Sequence, residues 1–338
     1  MSLLVGVLGG ALVVLVLADA VVTTLSMVTT TGPVSGRVAR GVWRLFLAAG
    51  TRSSRGGILR WSGTCTLLAT FLTWAVLLWA GWFLVFTAYE SAVVASTTST
   101  PAGGWDRVYF TGYTLFTLGI GDYIPDTAWA QVATVLASLS GLFLVTLSLT
   151  YLVQVIQAVV HKREVAEQIH ALGQNARHFI AQGWTGSGFS SMFNQQLVSL
   201  TAPLLRLGEQ HLAFPVVHYF HSVAPQKAPA RAMATLGDAL LLLDVGTASG
   251  SRPDPAAIGP LGRALDQVLE NLRGQFFSPA KQEESRPVPP LSVLRQVGVP
   301  TVGEEEYADR VRQYDGRRRA VQGFLHSDGW RDGPSHGS

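Results

Sequence analysis

The sequence predicts an all-α membrane protein, with three transmembrane helices in its first half and a helical domain in its second. Three observations carry that prediction. The 338-residue chain is 48% hydrophobic and only 14% charged. Its apolar residues gather into three runs, Leu3 to Val28, Thr64 to Ala88 and Ala128 to Val160. Each run exceeds the ~20 residues that cross a bilayer as helix. From His161 onward, basic and acidic residues return in near balance and apolar positions recur at helical spacing.

The first run lacks a basic start and a small-residue cleavage pattern, and it is longer than the ~7 to 15 residues of a signal-peptide core. Residues 1–30 are therefore expected to remain as a span. Asp19 is an ionisable group inside this run, with Thr23 and Thr24 behind it. Two readings stand for it: a functional carboxyl at membrane depth, or a group bonded to water or a neighbouring helix. Residues 31–62 form a second, amphipathic stretch. Arg37, Arg40 and Arg44 recur at helical spacing against Val38, Val42, Leu45 and Phe46. This pattern predicts a helix lying on the inner leaflet, attracted by anionic lipid. A voltage sensor is excluded because the segment is too short and its neighbour offers only Asp19 as an acidic partner. Within the second span, Trp74 and Trp79 are read as packing residues. Cys65, the single cysteine, is read the same way.

Charge placement sets the orientation. Arg37, Arg40, Arg44, Arg52, Arg55 and Arg60 lie between the first two runs, and His161, Lys162 and Arg163 follow the third. By the positive-inside rule both groups are cytoplasmic. The N-terminus and the loop holding Glu90, Asp106, Asp122 and Asp126 are then extracellular, and the C-terminus is cytoplasmic. The chain is expected to be a multi-pass protein of the cell membrane.

Between the second and third spans, residues 114–125 read Thr-Leu-Phe-Thr-Leu-Gly-Ile-Gly-Asp-Tyr-Ile-Pro. The pattern Thr-x-x-Thr-x-Gly-x-Gly-Asp resembles the selectivity filter of potassium channels, and the likeness extends back through Tyr109, Phe110 and Thr111 into an expected re-entrant pore helix. It covers roughly residues 60 to 160, so residues 63–160 are assigned as an ion-channel pore domain. The resemblance implies that main-chain carbonyls of Thr117, Leu118, Gly119, Ile120 and Gly121 contact K⁺, with Thr117 adding its hydroxyl. It implies that Thr114 and Asp122 support the filter, Asp122 bracing the pore helix and charging the outer mouth. Because each chain carries one filter, it also implies a homotetramer. Ile120 departs from the family, where an aromatic is common, and cannot donate a hydroxyl hydrogen bond there.

The third span reaches ~50 Å at 1.5 Å per residue, longer than the hydrocarbon core. Gly141 lies where similar channels often carry a hinge glycine, and a glycine relieving a close helix crossing is the equal reading. Thr146, Tyr151 and Gln154 are candidates for a wet cavity, and Leu152, Val155 and Val159 for a constriction.

Residues 161–277 are expected to form a helical cytoplasmic domain, with helices over 163–181, 195–207, 230–244 and 258–273. A nucleotide-binding fingerprint is missing, since Gly183 to Gly188 has no strand before it. Six of the eight histidines fall between His161 and His221, and they are read as scattered on the surface. Residues 278–338 are expected to be a proline-rich linker up to Pro300, then a charged helix presenting Arg317, Arg318 and Arg319 to solvent, then a disordered end. Charge balance excludes a nucleic-acid surface, and no nucleophile, base or phosphate loop suggests an enzyme. The reading is a potassium-selective channel with K⁺ as permeant ion, no cofactor, membrane lipid as surroundings and an unidentified regulatory ligand. A weakly selective cation channel and a non-conducting sensor or scaffold are the rivals.

Overall fold

The computed structural model describes residues 2–25, 32–52, 56–222, 224–274, 276–281 and 284–330. Among them three helices are long and apolar enough to cross a membrane: Leu3–Leu25, Ile58–Thr87 and Ala128–Leu172. The chain divides into two compact units. One comprises Met1–Leu45 and Thr64–Val155, the other Phe46–Gly63 and Ile156–Ser338.

The first unit contains α1 (Ser2–Leu25), most of α2 (Pro33–Arg52) and of α3 (Ser62–Thr87), the short α4 (Gly104–Leu115), and the first part of α5 (Ala128–Leu172). α1 packs on α3 through small residues. A Cβ on Gly9 would lie 2.6 Å from the Gly81 carbonyl, so only glycine permits this approach. The core that follows is built from Val16, Trp74, Leu78, Phe86, Phe110, Leu115, Ala137 and Leu144. The all-α architecture carries one addition, an antiparallel ladder of β1 (Val93–Ala95) and β2 (Tyr123–Pro125). Its register sets Val93 opposite Pro125 and Ala95 opposite Tyr123, so it clasps the two ends of the α4 loop.

Asp19 acquires a definite role. Its carboxylate accepts from Val34 N at 2.7 Å, Ser35 N at 3.1 Å and Trp74 Nε1 at 2.7 Å. Thr23 and Ser35 share a 2.6 Å hydroxyl bond beside it. The first amides of a helix lack internal partners and attract negative charge. One buried carboxylate therefore fastens the start of α2 to α1 and α3, which is the neighbouring-helix reading. Arg37, Arg40 and Arg44 of α2 are exposed.

The second unit is helical. α6 (Ala176–Gly183), α7 (Ser191–Ala213), α8 (Pro229–Leu241) and α9 (Pro255–Leu272) follow the end of α5. α7 and α9 pair along their lengths, and α8 is buried through all but Arg231. Residues 183–188, set between α6 and α7, close a tight turn through Thr185 N and the Gly188 carbonyl at 3.0 Å.

Four expectations are corrected here. Residues 278–300 are no linker: α10 (Ser292–Val297) and its approach bury Leu291, Val293 and Leu294. Arg286, 4% exposed, forms a bidentate pair with Asp238 of α8, its Nη2 2.6 Å from Oδ2. Composition suggested solvation, but a charge with a buried partner can enter a core. α11 (Glu304–Val311) and α12 (Asp315–Ser327) likewise bury Tyr307, Val311, Val321, Phe324 and Leu325. Arg317 pairs with Asp266 at 2.6 Å and Arg318 with Asp315 at 2.8 Å, both largely shielded rather than solvated. Of the expected disordered end, Asp328 is buried and residues 331–338 lie outside the described residues. His211, His218 and His221 are also buried, against the surface reading. Apolar periodicity does not report where a titratable residue inside a helical stretch points.

Candidate functional site

The site is the loop between α4 and β2. α4 is a short helix wedged among longer ones, and polar bonds fix both of its ends. At its start Asp106 accepts from Gly103 N at 2.9 Å. Arg107 is buried and donates to the Glu90 carbonyl at 2.6 Å and the Thr87 carbonyl at 3.4 Å, where α3 ends. Trp79 Nε1 donates to the Val108 carbonyl at 3.0 Å, and Trp82 Nε1 donates to Ser140 of α5 at 2.9 Å. The tryptophans thus pack their rings and spend their single donors on neighbouring elements.

At the other end the helix runs directly into the glycine loop. Thr117 N donates to the Thr114 carbonyl at 3.1 Å and Leu118 N to the Tyr113 carbonyl at 2.8 Å. Thr114 is buried. Beyond this point the backbone alternates. Thr117, Gly119 and Gly121 have φ of 58°, 59° and 88°, while Leu118 and Ile120 between them have negative φ. Alternating hands turn successive peptide groups so that N–H groups gather on one side and carbonyls on the other. A Cβ at Gly119 or Gly121 would meet open space, so φ and not crowding demands glycine there. Thr117 is a β-branched residue held at positive φ, a conformation that persists only where surroundings impose it.

The loop then returns through Asp122. Tyr109 of α4 donates its hydroxyl to Asp122 Oδ2 at 3.2 Å, and the Asp122 carbonyl accepts from Ser96 N at 3.0 Å. Tyr113 donates its hydroxyl to the Tyr123 carbonyl. The rings of Tyr109, Phe110, Tyr113 and Phe86 meet edge to face at 5.1 to 5.5 Å. Two tyrosines of α4 therefore supply hydroxyl bonds to this loop, which Ile120 cannot. Leu118 and Ile120 are 68% and 49% exposed, their side chains uncovered by this chain.

Residues 69–158 match the family model described as Ion channel. The match supports an ion channel built on this segment and points to a channel, not an enzyme. Over 306 residues the chain is 29% identical to a Bacillus subtilis (strain 168) protein described as an uncharacterized membrane protein, YdjJ, covering 90% of this chain and 87% of the relative. No solved structure matches.

Inside the matched segment, Gly141 of α5 lies against the end of α4. A Cβ there would fall 2.0 Å from the Leu115 carbonyl, so the close-crossing reading has a visible cause. On the same helix Thr146 and Gln154 are exposed, whereas Tyr151, Val155 and Val159 are buried in the chain. That removes Tyr151 from the candidate cavity set and leaves Leu152 alone in the candidate constriction. Sequence reasoning passed over Arg107 and Ser140, and read the tryptophans of α3 for packing and not for the hydrogen bonds they donate. The available signal was slight: Arg107 is the one basic residue between Arg60 and His161.

Proposed function

We propose that this chain is one subunit of a homotetrameric, potassium-selective channel of the cell membrane. K⁺ passes along the main-chain oxygens of Thr117, Leu118, Gly119, Ile120 and Gly121, and the helical second unit governs opening. The alternating backbone hand from Thr117 to Gly121, set at the end of a pinned short helix, is the observation that carries this reading. It puts the carbonyls of adjacent residues on one side, as a substitute for an ion's hydration shell requires. The C-terminal end of α4, which bears partial negative charge, points into the same loop and favours a cation. One chain supplies one such row, and the uncovered Leu118 and Ile120 side chains suit packing against further copies. The arginines before α3 and the basic cluster after Val160 favour a cytoplasmic second unit and an extracellular N-terminus.

Potassium flux into liposomes tests the proposal, with reversal potentials in mixed K⁺ and Na⁺ separating it from a weakly selective cation channel. Gly119→Ala and Gly121→Ala each force a Cβ into positive φ, at about 1–2 kcal/mol. Either variant is expected to insert normally and lose selective K⁺ flux. Unchanged K⁺ selectivity in both variants would remove these residues from the pathway.

A further inference from the structure

In the second unit, a buried polar knot surrounds the 3-10 turn Pro215–Tyr219. Lys162 lies on α5, the same unbroken helix that carries Gly141, and is 2% exposed. Its Nζ donates to the carbonyls of Val217 at 3.2 Å and Phe220 at 3.1 Å. From the start of α3, Ser62 donates to the Tyr219 carbonyl at 2.6 Å, and a Cβ on Gly63 would fall 2.4 Å from the Phe220 ring. One short turn is therefore gripped by the beginning of α3 and by the extension of α5.

Titratable groups crowd this grip from every side. α7 contributes His211, whose Nδ1 lies 2.9 Å from the Leu207 carbonyl. The turn contributes His218, stacked on Phe276 at 4.3 Å, and His221 follows it. The chain after α12 contributes Asp328, whose Oδ1 is 3.8 Å from His221 Nδ1. α5 itself adds His161, Arg163 and Glu164 around Lys162, His161 meeting both Glu164 and the Pro203 carbonyl. His211 Nε2 and Asp328 Oδ2 are buried without a hydrogen-bond partner. Packing so many ionisable groups with incomplete bonding is costly for a purely structural joint.

We propose that Lys162, His211, His218, His221 and Asp328 form an acid-sensitive latch that holds the Pro215–Tyr219 turn against the start of α3 and the end of α5 and releases it as pH falls. Burial first, and then the charge of Lys162, push His211 and His218 down to about 3. Burial pushes the Asp328 carboxyl up, but His221 and Lys162 outweigh it and hold it below the usual carboxylate range. The latched state thus keeps His211 and His218 neutral. Release returns them to water, where they take protons near pH 6.5. A base depressed in the closed state contributes its stability above its ordinary pKa and loses it as pH falls from 6.5 towards 3. At pH 5 each histidine favours release by roughly 30-fold. The consequence for conduction rests on the channel reading, and the latch itself does not.

Hydrogen exchange of the full chain in lipid nanodiscs tests this, read at Pro215–Ser222 and at α8 over pH 7.5 to 4 and corrected for intrinsic rates. Expected is a loss of protection below pH 6.5 confined to the turn, with His211→Gln reducing that loss by roughly 30-fold at pH 5. Parallel loss in α8, or no loss in the turn, overturns the latch. Should His211→Gln fail to fold, the wild-type series decides alone, because both segments are read in one molecule. Parallel K⁺ flux separates the two proposals. Acid release of the turn with no flux at any pH counts against the channel and leaves the latch standing, and flux with an unmoved turn does the reverse.

Discussion

Asp19 shows how a single side chain gains meaning from its surroundings. In sequence it is an isolated carboxyl in an apolar run, and two readings fit it equally. In the fold, three donors converge on it: two amides at the start of α2 and the Trp74 indole. Asp19→Asn would turn an amide donor towards that group of donors. A loss of about 1–3 kcal/mol is expected for leaving buried donors unsatisfied, seen as a lower Tm in detergent-solubilised protein. Gly141 offers a matched pair of residues. Gly141→Ala brings a methyl against the Leu115 carbonyl, whereas a Cβ at Gly104 meets open space. Gly141→Ala is therefore expected to lower Tm clearly and Gly104→Ala not through crowding; equal effects would sink the crossing argument.

At the scale of elements, the extended segment before α10 and the helices behind it were the least legible part of the chain. The first reads as a solvated connection and the second as a solvated charged helix, and the pairing that reverses the former lies 48 residues apart, between Asp238 and Arg286. Long-range pairing leaves no periodic trace, so no local window detects it. Removing one partner strands a buried charge. Arg286→Met is expected to cost about 3–5 kcal/mol in denaturant unfolding of the second unit, and adding Asp238→Leu to restore much of it. If the double variant is no more stable than Arg286→Met, the pair is not the cause. The short helix α4 was legible for the opposite reason. Its aromatic residues and the threonines and glycines after it form a contiguous pattern, and the bonds from Tyr109 and Tyr113 that brace the loop span only about three helical turns of chain.

For the whole molecule, the proposed function predicts assembly. Native mass spectrometry from detergent is expected to give four times the 36.2 kDa chain mass, with Gly119→Ala leaving that mass unchanged. A monomer under conditions that keep the protein folded would contradict a shared ion pathway. The groove beside the glycine loop, lined by Thr114, Thr117, Gly119 and Tyr123 together with Thr134 and Ser138 of α5, is open in one chain. In the proposed tetramer, crosslinks from cysteines placed at Leu118 or Ile120 are expected to join different copies.

What the sequence determined by itself was everything written in contiguous composition: three apolar spans, a basic amphipathic helix, a glycine loop of channel type and a helical second half. These are legible because membrane insertion, helical periodicity and positive-φ glycine each act on neighbouring residues. Tertiary structure alone decided which polar groups meet. It gave Asp19 to the start of α2, Arg107 to the end of α3, Arg286 to Asp238, and the histidines to a buried knot around Lys162. The physical reason is that a buried charge or imidazole is settled by partners distant in the chain, and only the folded packing brings those partners within hydrogen-bond or ion-pair reach.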